Sequence, residues 1–290
     1  MNALTHRRTG PIITLLTDFG TQDHYVASMK GTILRINPRC NLIDITHQIS
    51  PHNIEEGAFI LANVCLSFPK GTIHLAVVDP GVGSLRKPIL LVTKNYCFLG
   101  PDNGLLTVAA RRDNIKQAFA LTNPKFFRPF VSTTFHGRDI FAPVAGHLSL
   151  GISPKTLGQK IGSWVDLVFE NPVVRGNELM GKVVHTDAFG NLITNITQKV
   201  LADFVKNKRL VLGVGKTGIQ GLREGYWEVK KGDPVALIGS GGLLEISIRE
   251  GNAGKVLKVR AGAKVRVRVQ EKSEEVNLPR QQKATGFARG

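Results

Sequence analysis

The run Ile-Ile-Thr-Leu-Leu-Thr at residues 12–17 is apolar and ends in the polar tetrapeptide TDFG at 17–20. An apolar run of this length, bounded by turn residues, predicts a buried strand. The residues that follow, from His24 to Ile36, carry apolar side chains at helical spacing and stop before an Asn-Pro pair. A buried strand followed by an amphipathic helix is the unit from which α/β sheets are built.

The same alternation continues through the first half of the chain. A second helix is predicted from Asn53 to Leu66, because Glu56 three residues after Asn53 completes a capping-box pair. Two more are predicted at Asn103–Ala110 and Asp139–Leu150. We therefore expect an α/β N-terminal domain over residues 10–171, with a central, mostly parallel sheet covered by helices. The strands predicted for it are Ile12–Thr17, Leu42–Thr46, Ile73–Val78, Ile89–Thr93 and Tyr96–Leu99.

The pattern changes after about residue 172, where short strand-like runs are separated by glycine-rich turns. These runs predict an all-β C-terminal barrel domain over residues 178–270, with one helix at Lys199–Lys206. Residues 271–290 are polar and lack periodicity, which predicts a frayed tail. The predicted strands are Lys182–Thr186, Leu192–Ile196, Leu210–Val214, Tyr226–Val229, Val235–Ile238, Leu243–Ile248, Lys255–Val259 and Lys264–Gln270.

The 290-residue chain has an ordinary globular composition, with 42% apolar and 21% charged residues. This composition excludes a mainly disordered chain, a collagen-like repeat and a coiled coil. No apolar run has the length of a membrane-spanning helix, and the N-terminus lacks the apolar segment of a signal peptide. Three widely spaced cysteines form neither a disulfide nor a zinc pattern. We therefore expect a cytoplasmic protein without a metal site.

The net charge of +16 is the least ordinary feature of the composition. Residues 255–290 carry ten basic and three acidic side chains, and such an excess is found in proteins that bind nucleic acid or anionic surfaces. The basic residues are not interleaved with the aromatic side chains on which bases stack. A solvated surface is therefore favoured, and a nucleic-acid partner is not expected.

Polar clusters follow the strand signals of the N-terminal half, where ligand-binding groups of α/β sheets collect. Asp18, with Asp23 five residues later, can accept hydrogen bonds from a ribose diol or can cap the following helix. Asp79 lies in the loop VDPGVG at 78–83, with Arg86 beyond it. The glycines of this loop either allow a ligand close to the backbone or form a tight turn.

Two more clusters follow in the same half of the chain. His136 in TFHGRD (134–139) is a candidate base or hydrogen-bond donor. GPDNG (100–104) favours a turn with a helix cap. The chain contains no Walker loop, no HExxH zinc motif and no GxSxG nucleophile elbow.

In the C-terminal half, the segments DAFGN (187–191), GSGGLLE (239–245) and GNA (251–253) have a similar character. Their amide and carboxamide groups, together with an aromatic side chain, suit the edge and face of a purine. The same residue types also form ordinary β-turns.

In their order along the chain, these motifs resemble the S-adenosylmethionine hydroxide adenosyltransferase family, which is related to the fluorinase and chlorinase enzymes. The resemblance runs from about Ile12 to Ala253. It rests on TDFG, VVDPGVGS with Arg86, GPDNGLL, TFHGRD and DAFGNLITNI.

The resemblance implies a homotrimer in which the ligand lies between the N-terminal α/β domain of one subunit and the C-terminal β-barrel of the next. It also implies that the substrate is S-adenosyl-L-methionine (SAM), that the products are adenosine and L-methionine, and that no metal or redox cofactor takes part. The implied site residues are Asp79, Arg86 and His136, which hold the attacking water; Asp18, which holds the ribose hydroxyls; Asp23, Asp187 and Ser240, which face the methionine ammonium group; and Asn191, Asn252 and Ala253, which contact adenine.

The chemistry supports this assignment, because the sulfonium of SAM is already a good leaving group. What the reaction lacks is a nucleophile in line with the C5′–S bond, and such placement contributes on the order of 7–11 kcal/mol. Arg86 would stabilise hydroxide character, and either Asp79 or His136 can take the proton.

Two alternatives stay open. A halide-dependent adenosyl transferase is disfavoured because the related halogenases have an uncharged tyrosine where this chain has Asp79, whose charge would repel a halide. A non-catalytic protein could instead bind SAM or adenosine as a sensor, or nucleic acid through its basic C-terminal region. The complete set of Asp79, Arg86 and His136 favours an enzyme, because a binding module needs no residues that hold water.

Overall fold

The computed structural model describes residues 10–206 and 208–270. The chain falls into two compact units, which divide between Glu170 and Asn171. Among the residues described, no helix combines the length and the apolar character needed to span a bilayer.

The N-terminal unit is built on a seven-stranded sheet with helices on both faces. Its elements are, in chain order, β1 (Ile12–Thr17), α1 (Tyr25–Ile36), β2 (Asn41–Thr46), α2 (Ile54–Val64), β3 (Ile73–Val77), β4 (Pro88–Val92), β5 (Cys97–Pro101), α3 (Thr107–Arg112), β6 (Gln117–Leu121), α4 (Ala142–Ser149), α5 (Pro154–Leu157) and β7 (Gly158–Ile161). The strands lie in the order β2-β1-β3-β5-β4-β6-β7.

This sheet is mixed, so the prediction of a mostly parallel sheet is wrong. The pairs β1–β2, β1–β3 and β3–β5 are parallel, whereas β4–β5, β4–β6 and β6–β7 are antiparallel. The cause is the short connection at residues 93–96 between β4 and β5. A parallel crossover needs a dozen or more residues, so this connection can only make a hairpin. The sequence analysis also missed β6 and β7.

Strand β1 is buried on both faces, as its continuous apolar run predicts. Ile13 and Leu15 pack with Met29 of α1 in one hydrophobic cluster. Leu16 points the other way and packs with Leu61 of α2 in a second cluster. The alternation of side chains along the strand therefore joins two helical layers to one sheet.

The parallel part of the sheet brings three of the sequence motifs to one edge. Thr17 at the end of β1 pairs with Val77 at the end of β3, and β5 lies parallel on the other side of β3. The carboxyl ends of these strands therefore meet, which is where ligand groups collect in such sheets. The Nδ2 group of Asn103 donates to the carbonyl oxygen of Val78 at 2.8 Å and ties the third loop to the second.

The C-terminal unit is an eight-stranded antiparallel sheet. Its elements are β8 (Val173–Arg175), β9 (Glu178–Thr186), β10 (Leu192–Thr197), α6 (Gln198–Val205), β11 (Arg209–Val214), β12 (Thr217–Gln220), β13 (Pro234–Ile238), β14 (Leu243–Ile248), α7 (Ala253–Val256) and β15 (Lys264–Gln270).

The strand order of this sheet is β12-β11-β15-β9-β10-β14-β13, and β8 pairs with β9. The two ends of the order, β12 and β13, are not paired by a ladder in the described chain. The amide of Arg223, just after β12, nevertheless donates to the carbonyl of Ala236 in β13 at 2.8 Å. The sheet is therefore nearly barrel-shaped.

Two strands predicted in this unit are wrong, because local capping has produced helical turns there. Lys255–Val259 overlaps α7, which Asn252 begins by accepting a hydrogen bond from the amide of Lys255 at 2.8 Å. Tyr226–Val229 overlaps a 3₁₀ turn at Tyr226–Glu228. The tail predicted at 271–290 lies outside the described residues.

Candidate active site

Asp79 and Arg86 form a buried ion pair in the loop that follows β3. The Nε atom of Arg86 lies 3.0 Å from each carboxylate oxygen of Asp79, and Nη2 of Arg86 donates to Oδ2. The Asp79 side chain is 5% exposed and that of Arg86 is 9% exposed. The guanidinium also lies over the ring of Phe141, 5.4 Å from its centroid. A fork-to-carboxylate contact that is this buried holds both side chains in one orientation.

The glycines of the VDPGVG loop are required by its geometry. Gly83 has a φ of 78°, and a Cβ added there would lie 2.3 Å from the carbonyl oxygen of Thr133. The hydroxyl of Ser84 donates to the carbonyl of Gly81 at 2.7 Å and tightens the same turn. The turn therefore folds Arg86 back onto Asp79, and only glycine fits at residue 83.

His136 completes the cluster from a different part of the chain. Nη2 of Arg86 lies 2.8 Å from Nδ1 of His136. A guanidinium has no acceptor, so Nδ1 must accept this hydrogen bond and the ring proton must reside on Nε2. Burial and the charge of Arg86 lower the pKa of His136, against the opposing effect of Asp79 and Asp139. The imidazole is therefore neutral near pH 7 and presents Nε2–H as a donor.

Arg86 also has a donor to spare. Its Nη1 atom is buried and has no hydrogen-bond partner in the described part of the chain. A buried donor without a partner is destabilising by about 1–3 kcal/mol, so the position favours an external acceptor. Nη1 of Arg86 and Nε2–H of His136 are both suited to hold an oxygen that carries negative charge.

Asp139 supports the segment that carries His136 and was given no role by the sequence analysis. It is fully buried in the π-helical turn Gly137–Phe141, where it accepts from Nε of Arg138 at 2.7 Å and from Nη1 of Arg128 at 3.2 Å. Burial alone would raise the pKa of Asp139, but these contacts prevail and the pKa lies below its usual value. The sequence signal for this supporting role was an aspartate next to an arginine in TFHGRD.

Asp18 and Asp23 lie in the loop between β1 and α1. Oδ2 of Asp18 accepts a hydrogen bond from the amide of His52 at 2.9 Å, and Asp23 is exposed just before α1. In the described residues, no hydrogen bond or ion pair joins either carboxylate to Arg86. Asp18 nevertheless leaves β1 at the sheet edge from which the Asp79 loop leaves β3.

The structure brings most of the predicted C-terminal residues together. Oδ2 of Asp187 accepts from Nδ2 of Asn191 at 2.9 Å, and Oδ1 accepts from the Asn191 amide at 2.8 Å. A Cβ added to Gly190 would lie 2.1 Å from Cγ of Asn252, so this turn packs directly on the one that carries Asn252 and the buried Ala253. The two turns form one surface.

Ser240 is the exception, because it is exposed in the turn between β13 and β14. Beneath this turn lies a buried group that the sequence analysis missed. Glu245, 6% exposed, accepts from the hydroxyl of Tyr226 at 2.6 Å and from that of Ser247 at 2.8 Å. A Cβ on Gly239 would lie 2.5 Å from Oε2 of Glu245. The sequence signal for this buried carboxylate was a glutamate within the otherwise mostly apolar run LLEISI at residues 243–248.

Burial, followed by the hydrogen bond to Glu245, raises the pKa of Tyr226 to about 12. The tyrosine is therefore protonated throughout the physiological range and remains a donor to Glu245. Among the described residues, no group of three His, Cys, Asp or Glu side chains is arranged to hold a metal ion.

A carboxylate, a guanidinium and a neutral imidazole thus lie together at the carboxyl edge of an α/β sheet, with hydrogen-bond donors left over. This arrangement is the kind found in enzymes that hold an oxygen nucleophile. The family model for the SAM hydroxide adenosyltransferase N-terminal domain matches residues 13–158, and that for the C-terminal domain matches residues 181–266. The chain belongs to the SAM hydroxide adenosyltransferase family.

Individual relatives agree with this assignment. The chain is 35% identical to the (R)-S-adenosyl-L-methionine hydrolase of Thermus thermophilus, over 88% of this chain and 98% of the relative. It is 27% identical to a fluorinase from an Actinoplanes species, over 89% and 97% of the two chains. A crystal structure of an uncharacterised conserved protein from Thermotoga maritima superposes with a TM-score of 0.83 at 36% identity, covering 88% of this chain and 99% of that one.

Proposed function

We propose that this protein hydrolyses SAM to adenosine and L-methionine. The observation that carries the proposal is the buried cluster of Asp79, Arg86 and His136, which offers unpaired donors to a water molecule. The similarity to a relative named as a SAM hydrolase supports the same substrate.

The proposed reaction is a single displacement at carbon. The oxygen of water forms a bond to C5′, the C5′–S bond breaks, and its electron pair leaves with sulfur as the thioether of methionine. One proton is released from the attacking water. Because the sulfonium leaves as a neutral thioether, the protein needs to supply little acid assistance and no metal or redox cofactor. Its contribution is to place the water and to stabilise the hydroxide character that develops.

The hydrogen bonds of the cluster favour Asp79 as the group that takes the proton. Nδ1 of His136 is occupied by Arg86, and Nε2 already carries a proton, so the imidazole has no free acceptor. The carboxylate of Asp79 has about four lone-pair sites, and contacts from Arg86 use only part of them. Asp79 therefore accepts the proton while Arg86 and His136 hold the oxygen.

Substrate binding is proposed for the remaining residues on the basis of the motif match. We propose that the closed β-barrel and a homotrimer complete the site, with SAM held between the N-terminal domain of one subunit and the C-terminal domain of the next. A cytoplasmic location is supported by the three cysteines, all free thiols. The proposed contacts are ribose for Asp18; the methionine ammonium group for Asp23, Asp187 and Ser240; and adenine for Asn191, Asn252 and Ala253.

The test is to incubate the purified protein with SAM, with and without chloride, and to separate the products by chromatography. Both epimers at sulfur are supplied separately, because the Thermus thermophilus relative is named for the (R) form. Asp79→Asn and His136→Ala are compared with Asp203→Asn, a change of an exposed carboxylate in the C-terminal unit.

Adenosine and methionine formed in both salts, lost in the two cluster variants and kept in Asp203→Asn, are the expected results. A chlorinated adenosine formed only with chloride would establish halide transfer instead. Tight binding of SAM without any product would show a sensor or carrier.

A further inference from the structure

The N-terminal unit contains a cavity whose lining includes none of Asp79, Arg86 and His136. It has a volume of about 790 Å³ and lies between α1, α4 and the loop at residues 127–130. This size falls within the range of small-molecule sites. The side chains that give it its character are Arg35, Phe127, Arg128, Phe130, Arg138 and His147.

The cavity is strongly positive. Three guanidinium groups line it, and no carboxylate does so among the described residues. Asp139 contacts Arg128 and Arg138 but is fully buried and neutralises only one of the two charges. In the described chain, no carboxylate lies within 4.0 Å of Arg35. An anionic group in the cavity would therefore be attracted to about two uncompensated positive charges.

Two of the three arginines, Arg128 and Arg138, are held in place before any ligand arrives. Arg138 contacts Asp139 through Nε and Nη2, at 2.7 and 3.0 Å, and its guanidinium lies 4.9 Å from the centroid of the Phe135 ring. Arg128 contacts the same carboxylate at 3.2 Å. The side chains of Arg138 and Arg128 are still 29% and 41% exposed. Each therefore keeps N–H groups for a ligand, and little conformational entropy is lost when it binds.

An exposed aromatic ring suits a ligand with an organic part, and a glycine leaves room for it at the cavity wall. Phe130 is 89% exposed beside the arginines, and an aromatic face of this kind can stack on a heterocyclic base. Gly31 interrupts the exposed face of α1 at the cavity wall, and nothing lies within 4 Å of a Cβ added there. Glycine weakens a helix relative to alanine, and no packing in the described chain requires it.

We propose that this cavity binds an organic phosphate of nucleotide size, with Arg35, Arg128 and Arg138 holding the phosphate and Phe130 contacting the base. The guanidinium fork matches phosphate oxygens in two parallel hydrogen bonds. The site is separate from the cluster of Asp79, Arg86 and His136 and does not rest on the proposed function.

Isothermal titration calorimetry of the full chain tests the proposal with uridine 5′-monophosphate, inorganic pyrophosphate and inorganic phosphate as probes. A pyrimidine nucleotide is used so that an adenosine site is not titrated by mistake. The variants are Arg35→Gln with Arg128→Gln, Arg35→Gln alone, and Phe130→Ala. The matched control is Arg39→Gln, an exposed arginine just beyond α1 that does not line the cavity.

The expected result is saturable binding of uridine 5′-monophosphate that weakens about tenfold or more in the double arginine variant and is unchanged in Arg39→Gln. Phe130→Ala should weaken the binding of uridine 5′-monophosphate but leave the binding of pyrophosphate unchanged. If the double variant unfolds, the test rests on Arg35→Gln alone, because Arg35 is exposed and its replacement should leave the fold intact. The proposal is overturned by absence of saturable binding below about 10 mM, by an equal loss in Arg39→Gln, by competition with SAM, or by binding of inorganic phosphate alone.

Discussion

Replacing Asp79 with alanine should destabilise the N-terminal unit strongly. The change removes the carboxylate but leaves the guanidinium of Arg86, whose side chain is 9% exposed, with the hydrogen bond to His136 and the face of the Phe141 ring. Breaking a buried pair by removal of one partner leaves an uncompensated charge and is destabilising by about 3–5 kcal/mol. Asp79→Ala should therefore lose both stability and activity, and a loss of activity alone would not identify its cause.

A double-mutant cycle separates the interaction from the individual side chains. Removing Asp79 and Arg86 together leaves neither charge of this pair without its partner. The double variant should therefore be less destabilised than the sum of the single ones, with a coupling of several kcal/mol. The matched control is the pair of Lys30 and Asp44, whose atoms are 2.6 Å apart but whose side chains are 31% and 41% exposed. Solvent screens that pair, so its coupling should be about 0–1 kcal/mol.

Urea unfolding measures the free energies in a background with Trp227→Phe. The chain has two tryptophans, and the remaining one, Trp164, packs against a core cluster of the N-terminal unit, so its fluorescence reports on that unit. A coupling for Asp79 and Arg86 no larger than that for Lys30 and Asp44 would refute the claim that burial makes the pair strong.

Three further predictions follow from other parts of the structure. Burial lowers the pKa of His74 to about 4. Between about pH 6.5 and pH 4 the unfolded state therefore binds a proton that the folded state does not, and stability should fall as the pH drops through this range. Thermal melts of His74→Phe should show a smaller fall. Gly190→Ala should destabilise the C-terminal unit by about 1–3 kcal/mol, because residue 190 has a φ of 88° and the added Cβ would clash with Asn252. In thermal melts, adding Asn252→Ala to this variant should recover the steric part of the loss. One tyrosine, Tyr226, should titrate with a pKa of about 12 by ultraviolet absorbance, and Glu245→Gln should lower that pKa; an unchanged titration would contradict the contact.

The elements that depend on local sequence were predictable. β1 has the predicted bounds, because an apolar run between turn residues has few other solutions. The helix at Asn53 begins as its capping pair indicates: Oδ1 of Asn53 accepts from the Glu56 amide at 3.1 Å, and Nδ2 of Asn53 donates to Oε2 of Glu56 at 3.3 Å. Capping contacts span three or four residues and leave a signature that survives in any tertiary context.

The direction of strand pairing was not obtained, although part of the information was present. The predicted strands Ile89–Thr93 and Tyr96–Leu99 left room for a hairpin only, and a mostly parallel sheet was inconsistent with that spacing. Strand β7 is different, because its residues 158–161 carry no alternation and pair with β6 through tertiary context. Neighbours decide such a strand, and a single sequence does not show them.

The candidate site, too, could be predicted from the sequence only in part. The motifs pointed to Asp79, Arg86 and His136, and the structure places them in direct contact. The tautomer of the imidazole depends on which of its two ring nitrogens faces Arg86, and that is a consequence of folding. The support from Asp139 and the buried Glu245 was missed for the same reason, since both act through residues that fold onto them.

The mixed character of the N-terminal sheet also has a consequence for how the chain folds. The hairpin of β4 and β5 closes a loop of four residues, whereas Ile13 of β1 pairs with Ile73 of β3, sixty positions later. Loop closure becomes less favourable as the separation grows, so the hairpin can form early and the parallel half forms late. During synthesis, β1 can pair with β2 first, but its other edge has no partner until β3 is made. Of the strand edges that pair in this sheet, the β3-facing edge of β1 therefore stays unpaired over the longest stretch of chain, and it is the edge most open to pairing with a wrong strand.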